Sequence, residues 1–245
     1  MKTAIYSFLL LTISFLFACG GDKPNNPCPS GKLPLADTIY SYNNEYYNNP
    51  KRFMVYAKAK VTLAKGEYGA YGIAGPKNLI GRLQTYQKGD SLYLDYDQCI
   101  FKFNPFVTTI YAKQINLVSI YDSSICNFDP NFNQETIAVN TFDKTSGTIT
   151  GKFGSLFVNH SSINEIAIEG QHASLNLTHN GKSDIDALNG TYLQADITNN
   201  SAADVYVSAV ESLFVEINNA GNVYYNGNPQ LQVKQNGTGQ VIKLE

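Results

Sequence analysis

At 245 residues the chain has room for one or two domains. Its 18 lysines and arginines nearly balance 20 aspartates and glutamates, and they are scattered, so a net charge of −2 excludes recognition of nucleic acid through a basic field. Charged residues are only 16% of the chain, and 17 Tyr and 13 Phe accompany no Trp, which fits a β-protein outside the cytoplasm with polar but uncharged corners.

The N-terminus sets the compartment. Lys2 precedes an apolar run over residues 5–17 interrupted only by small or hydroxyl side chains. The run is short for a bilayer span and reads as a signal peptide over residues 1–18. It ends in Leu16-Phe17-Ala18-Cys19-Gly20-Gly21, which resembles a bacterial lipobox, and the resemblance implies that Cys19 is the lipidated first residue of the mature chain. The alternative is an ordinary secretory signal in which Cys19 falls by chance. Residues 19–50, rich in Pro, Asn, Gly and Tyr and without a sustained apolar period, are expected to tether the rest to a membrane. Tyr40, Tyr42, Tyr46 and Tyr47 stand out there, either as a stacking platform for sugar rings or as strand residues packing on the first coil of a folded domain. That domain is expected over residues 51–245.

With Cys19 lipidated, Cys28, Cys99 and Cys126 remain. Cys99 and Cys126 flank a strand-rich segment, and an oxidising compartment permits a bridge worth about 3 kcal/mol; two reduced core thiols fit the sequence equally well. No Cys/His spacing suits zinc, so no metal and no cofactor are expected. Gly69-Ala70-Tyr71-Gly72-Ile73-Ala74-Gly75 lacks the strand-to-helix context of a phosphate loop. His160 and His179 fall in expected corners and His172 precedes a strand, so all three are expected at the surface, without the geometry of a catalytic triad.

The last third repeats itself. Apolar residues recur at spacing two in Leu156 and Val158, Ile166 and Ile168, Ala173, Leu175 and Leu177, Ile185 and Ala187, then Leu193, Ala195 and Ile197. The pattern continues through Val205, Val207, Leu213, Val215, Ile217, Val223, Tyr225, Leu231, Val233 and Val241. Spacing of two marks strand faces, and the groups return with a period near twenty, which is the signature of a β-solenoid. Leu175, Leu177, Leu193, Ile197, Val205, Leu213, Val215, Ile217, Val223 and Val233 should point inward, and Asn176, Asp196, Glu216 and Gln232 outward. Leu177, Ile197 and Ile217 should form one column, and Ile185, Val205 and Val223 another. Corners rich in Asn and Gly separate the strands at residues 179–184, 199–204, 218–222 and 235–240, the third reading shorter than the others. Both residue types tolerate the left-handed backbone of a tight corner.

The segment Ala220-Gly221-Asn222-Val223-Tyr224-Tyr225-Asn226-Gly227-Asn228-Pro229, followed by residues 233–243, resembles the closing repeats of the head GIN domain family of autotransporter adhesins. Residues 61–68 and Asp90-Ser91-Leu92-Tyr93-Leu94 resemble its opening strands. The corners depart from the Gly-Ser-Gly usual in the family, and residues 126–145 carry extra sequence. The resemblance implies an all-β, right-handed parallel β-helix (a β-solenoid, pectin-lyase-like) with an N-terminal β-rich cap, and a role in adhesion.

A parallel β-helix also raises polysaccharide lyases and esterases, whose chemistry needs a carboxylate cluster for calcium and a basic residue. Asp184, Asp186, Asp196 and Asp204 come from different coils and would form an outward stripe, since coils lie about 4.8 Å apart. Lys182 is the nearest cation and the two arginines are Arg52 and Arg82, so a solvated stripe or a binding surface centred on Asp184 and Asp204 is the expectation. The expected protein is an outer-membrane lipoprotein of the cell envelope, periplasm-facing or surface-exposed. It would be held to the membrane through its lipid and would bind a host or neighbouring-cell surface, matrix or glycan without catalysis, possible homo-oligomers included. The alternatives are a polysaccharide-acting enzyme on the same fold and a structural module of envelope assembly.

Overall fold

A computed structural model describes residues 39–45, 50–56, 59–66, 70–76, 80, 83–96 and 106–245, all within the compact unit Lys32–Glu245. Apolar and polar side chains alternate along the strands, so each strand has one dry face and must be stacked to bury it. The stack has two faces. The first consists of β2 (Arg52–Val55), β8 (Leu117–Ile120), β10 (Asn133–Asp143), β12 (Lys152–Ser162), β14 (Gly170–His179), the second halves of β15 (Ile185–Asn199) and β16 (Val205–Ile217), and β18 (Gln230–Gln235). The second consists of β3 (Ala59–Lys65), β9 (Ile125–Phe128), β11 (Ser146–Ile149), β13 (Ile166–Ile168), the first halves of β15 and β16, β17 (Val223–Asn226) and β19 (Val241–Lys243). Every neighbouring pair is parallel, and each coil contributes one strand to each face, giving a β-solenoid of about seven turns.

The N-terminal end is closed by a different pattern. The strands β6 (Ser91–Tyr96) and β7 (Phe106–Ala112) add in parallel to the far sides of β2 and β3, so a later piece of chain forms the coil that precedes the first one in space. Antiparallel β5 (Leu83–Lys88) then covers β6, while β4 (Ala70–Pro76) covers β7 and β1 (Ile39–Glu45) covers β4. Antiparallel strands end the stack where a bare parallel edge would invite further pairing. The expected β-rich cap is therefore present.

The core is a set of columns, one residue per coil. Phe53, Val118, Val139, Val158, Leu177, Ile197 and Val215 form one, and every member is buried. Val61, Cys126, Gly147, Ile166, Ile185, Val205 and Val223 form another, which contains the expected column Ile185, Val205 and Val223. The other expected column is corrected. Val215, not Ile217, lies beside Ile197, while Ile217 lies beside Asn199. The residues missing from this coil are in the bend between the faces, where 188–191 of β15 are opposed by Ser208 alone. The corner before Val223 is full length once Ile217 is counted in it.

The same bend explains the failed inward assignment of Leu193 and the misplacing of Ala173 in the apolar frame. The alternation slips by one residue there, so Phe153, His172 and Tyr192 turn inward while Ala173 and Leu193 turn out, the latter 44% exposed. The inward places form an aromatic stack, with ring centroids 5.2 Å apart for Phe153 and His172 and 5.3 Å for His172 and Tyr192. Leu231 and Val233 do stand in the columns of Leu213 and Val215, but no described coil lies beyond them and they are exposed. Asn176, Asp196 and Gln232 are exposed and Glu216 is partly exposed, as expected.

Candidate functional site: polar ladders on the outside of the stack

On the second face, each coil places a polar residue just before its strand. Asp184 Oδ1 accepts the Asp204 N–H at 2.8 Å, Asp204 Oδ1 accepts the Asn222 N–H at 2.7 Å, and Asn222 Oδ1 accepts the Gln240 N–H at 2.9 Å. The two carboxylates singled out in the sequence thus cap the strand starts of the following coils, each through one oxygen. Beside them, Asp186, Tyr206 and Tyr224 share one outward row. The Tyr206 and Tyr224 rings stack at 4.9 Å and 9°. Partial burial, then the charges of Asp204 and Asp184, raise the Tyr206 phenol, so it is neutral at physiological pH. This pair was not singled out in the sequence, but the spacing-two frame signalled it: with Val205, Val207, Val223 and Tyr225 in one phase, Tyr206 and Tyr224 fall in the opposite, outward one.

The other end of the same corner carries a second ladder. Asn180 Nδ2 donates to Asn159 Oδ1 at 3.1 Å, Asn200 to Asn180 at 2.8 Å, Asn218 to Asn200 at 2.7 Å and Asn236 to Asn218 at 2.7 Å. None of these asparagines has a positive φ, so their recurrence is explained by the side-chain ladder and not by left-handed corners. Gly181 is needed for a related reason: a Cβ there would lie 2.4 Å from the Ser162 carbonyl oxygen of the coil below. In the first three coils the corresponding corner is aromatic, with Tyr56, Tyr121 and Phe142 stacked at 4.5 Å per step.

The histidines overturn the surface expectation. His160 and His179 are fully buried and His172 nearly so. His160 and His179 occupy the inward column Thr141, His160, His179, Asn199, where the corner needs a polar atom to hold its backbone. Thr141 Oγ1 meets His160 Nδ1 at 2.7 Å, and His179 Nδ1 accepts the Gly181 N–H at 3.3 Å, as Asn199 Oδ1 accepts the Ser201 N–H one coil later. The Nε2 atoms of both rings and Nδ1 of His172 are buried without a hydrogen-bond partner. Burial first, reinforced at His160 by the neighbouring His179 and opposed at His179 by Asp184, lowers both to about 4. They are neutral packing groups, and among the described residues no nucleophile and carboxylate converge on them.

Cys126 is a free, buried thiol that burial pushes up to about 12, far from a reactive thiolate. Its conceivable bridge partner Cys99 lies outside the described residues, as do Cys19, Cys28, Tyr46 and Tyr47. Tyr40 and Tyr42 lie on β1 in register with Gly75 and Ile73 of β4, which places them in the cap, away in sequence and coil from Asp184 and Asp204. Among the described residues no group of three His, Cys, Asp or Glu side chains is placed to hold a metal, and no helix is long and apolar enough to cross a membrane. A recess of about 510 Å³ lies among Lys51, Ala112, Lys113, Gln134 and Glu135. Its amide Gln134 is spent on the backbone, with Oε1 accepting from Ile115 N and Nε2 donating to Ile115 O and Thr136 O.

Comparison with solved structures places the fold. A "putative adhesin" from Bacteroides fragilis NCTC 9343 superimposes with a TM-score of 0.78 at 16% identity, over 86% of this chain and 99% of that one. A "putative lipid binding protein" from Parabacteroides distasonis ATCC 8503 gives 0.68 at 15%, over 86% and 98%. A "putative adhesin" from Parabacteroides merdae ATCC 43184 gives 0.66 at 13%, over 85% and 97%. At such identities the likeness is one of fold. No curated protein matches the chain. Residues 50–229 match the family model described as "Putative auto-transporter adhesin, head GIN domain", and the chain belongs to that head GIN domain family.

Proposed function

We propose that the protein is a lipid-anchored, extracytoplasmic surface-binding module that works by contact and not by catalysis. The observation that carries this reading is the way the polar groups of the regular coils are arranged. They run in ladders along the outside of the stack, Asp184 to Gln240 at one end of a shared corner and Asn159 to Asn236 at the other. Catalysis needs reacting groups gathered in a recess, whereas extended ladders suit broad, repeated contact with a surface. Adhesion is also what the family description names. Anchoring at Cys19 would present many copies on one membrane, so contacts weak in each copy would add through avidity.

The test has two arms. Metabolic labelling with a fatty acid should mark the full chain, and Cys19→Ser should abolish the mark and release the protein from membranes. Vesicles carrying the lipidated chain should be retained on cells or matrix, and vesicles without it should wash off. Retention that fails on every surface while a purified envelope protein binds tightly would replace adhesion with envelope assembly. Turnover of a polysaccharide or ester that disappears on changing Asp184 or Asp204 would make the protein an enzyme.

A further inference from the structure

The asparagine ladder has unused capacity. A primary amide carries two N–H donors and two acceptor lone pairs. Asn180, Asn200 and Asn218 each give one N–H to the rung before and receive one from the rung after. Asn180 and Asn200 each keep one N–H and one lone pair uncommitted in the side-chain ladder, one coil apart at about 4.8 Å, while Asn218 also bonds the Glu216 carboxylate and keeps a lone pair. Asn180 and Asn218 are exposed and Asn200 is half-exposed. Alongside them Thr178 and Thr198 form an outward row of hydroxyls in register with Asn159. The strip carries little net charge, because Glu216, next in the threonine row, is bound by Lys234 Nζ at 2.8 Å.

We propose that this strip binds an uncharged linear polysaccharide lying parallel to the solenoid axis, with successive sugar hydroxyls on Asn180, Asn200 and Asn218. The inference rests on the surface-binding reading above and names its ligand. A sugar hydroxyl both donates and accepts, which is what each free amide edge offers. In an extended β-1,4-linked chain each sugar advances by close to one coil and alternates in facing, so every rung meets a hydroxyl of the same ligand and equivalent hydroxyls return at every second rung. The ladder already holds the amide rotamers, so contact does not have to freeze them, and little affinity is lost to ordering. Lys182 stands in the corner of Asn180, but Asp184 and Asp204 flank the strip, and this disfavours uronates and sulfated chains, which need cations gathered for charge-assisted bonds. Each hydrogen bond to a neutral group contributes little on its own, so affinity should grow with the number of sugars spanned.

Calorimetric titration of the full chain tests this with neutral β-1,4-linked oligosaccharides of glucose, mannose and N-acetylglucosamine, and with oligogalacturonate as the charged comparison. At least one neutral series should bind, and more tightly as hexamer than as trimer. Asn200→Ala should weaken it about three- to tenfold, the loss expected for one or two neutral hydrogen bonds. Thr198→Lys crowds the strip while leaving the ladder amides in place, and it should weaken binding as well even if Asn200→Ala does not fold. Thr148→Lys, on the other face, should bind like the wild type. The proposal falls if both strip variants bind unchanged, or if oligogalacturonate binds more tightly than every neutral series. It also falls if no neutral oligosaccharide binds while the full chain still adheres to cells, an outcome that leaves adhesion standing and moves its site elsewhere.

Discussion

His160 and His179 stack inside the coil column at 5.3 Å, with no partner for either Nε2. Their values of about 4 lie below the roughly 6.5 of an unfolded histidine, so from neutrality down to pH 6.5 both states are mostly uncharged. Below that the unfolded chain takes up protons that the fold refuses until about pH 4. The stability they contribute is therefore present above pH 6.5 and lost as the pH falls towards 4, with a slope of about 1.4 kcal/mol per pH unit for each histidine at most. Thermal melts between pH 7 and 4 should show this loss, and His160→Asn with His179→Asn should flatten it, since Asn199 already fills the same column one coil later. An unchanged acid profile in that double variant would show that other groups control it. At Asp204 the expected pattern is different. Asp204→Ala leaves the Asn222 N–H without its acceptor and should cost about 1 kcal/mol, while Asp204→Asn keeps the acceptor and should melt close to the wild type.

At the level of strands, burial in the columns is decisive. Val215 is buried between Ile197 and Val233, so Val215→Asp would strand a carboxylate in a dry stack and cost about 4 kcal/mol or more. Glu216→Ala, one residue along and facing out, should leave the melting temperature almost unchanged; equal losses for the two would contradict the observed facing. This facing was legible from spacing alone, because period two marks a strand face wherever the strand is straight. Leu193 and Ala173 were misplaced because a bend moves the phase by one residue while an apolar residue happens to stay in frame. The buried histidines were missed for a related reason. A polar residue in a corner reads as surface, yet the inward corner position needs a hydrogen-bonding atom, supplied in turn by Thr141, His160, His179 and Asn199. The recurring asparagines were visible, but their role was not: separations of 21, 20, 18 and 18 residues reveal a ladder only once coil lengths are known.

Across the whole molecule, each coil touches only the coils on either side, so stability is built from the coils and their shared interfaces, as in other solenoids. The parallel pairing holds from β2 and β3 through to β18 and β19, and the last two strands have a parallel neighbour on one side alone among the described residues. Their exposed Leu231 and Val233 bury little, whereas Tyr192, Ile197 and Val215 sit in coils packed from both sides. Hydrogen exchange should therefore be graded along the axis: amides of β18 and β19 exchange fastest among the C-terminal coils, and those of β14 and β15 slowest. The graded architecture also sets the reach of a local defect. In Val215→Asp, faster exchange should spread from β16 into β18 and the second half of β15, whose backbones share its column. It should leave β2, β3 and β8 protected, because several intact interfaces separate them from the substitution. Uniform loss of protection from β2 to β18 would mean that the coils unfold as one cooperative block and that nearest-neighbour coupling does not limit the damage.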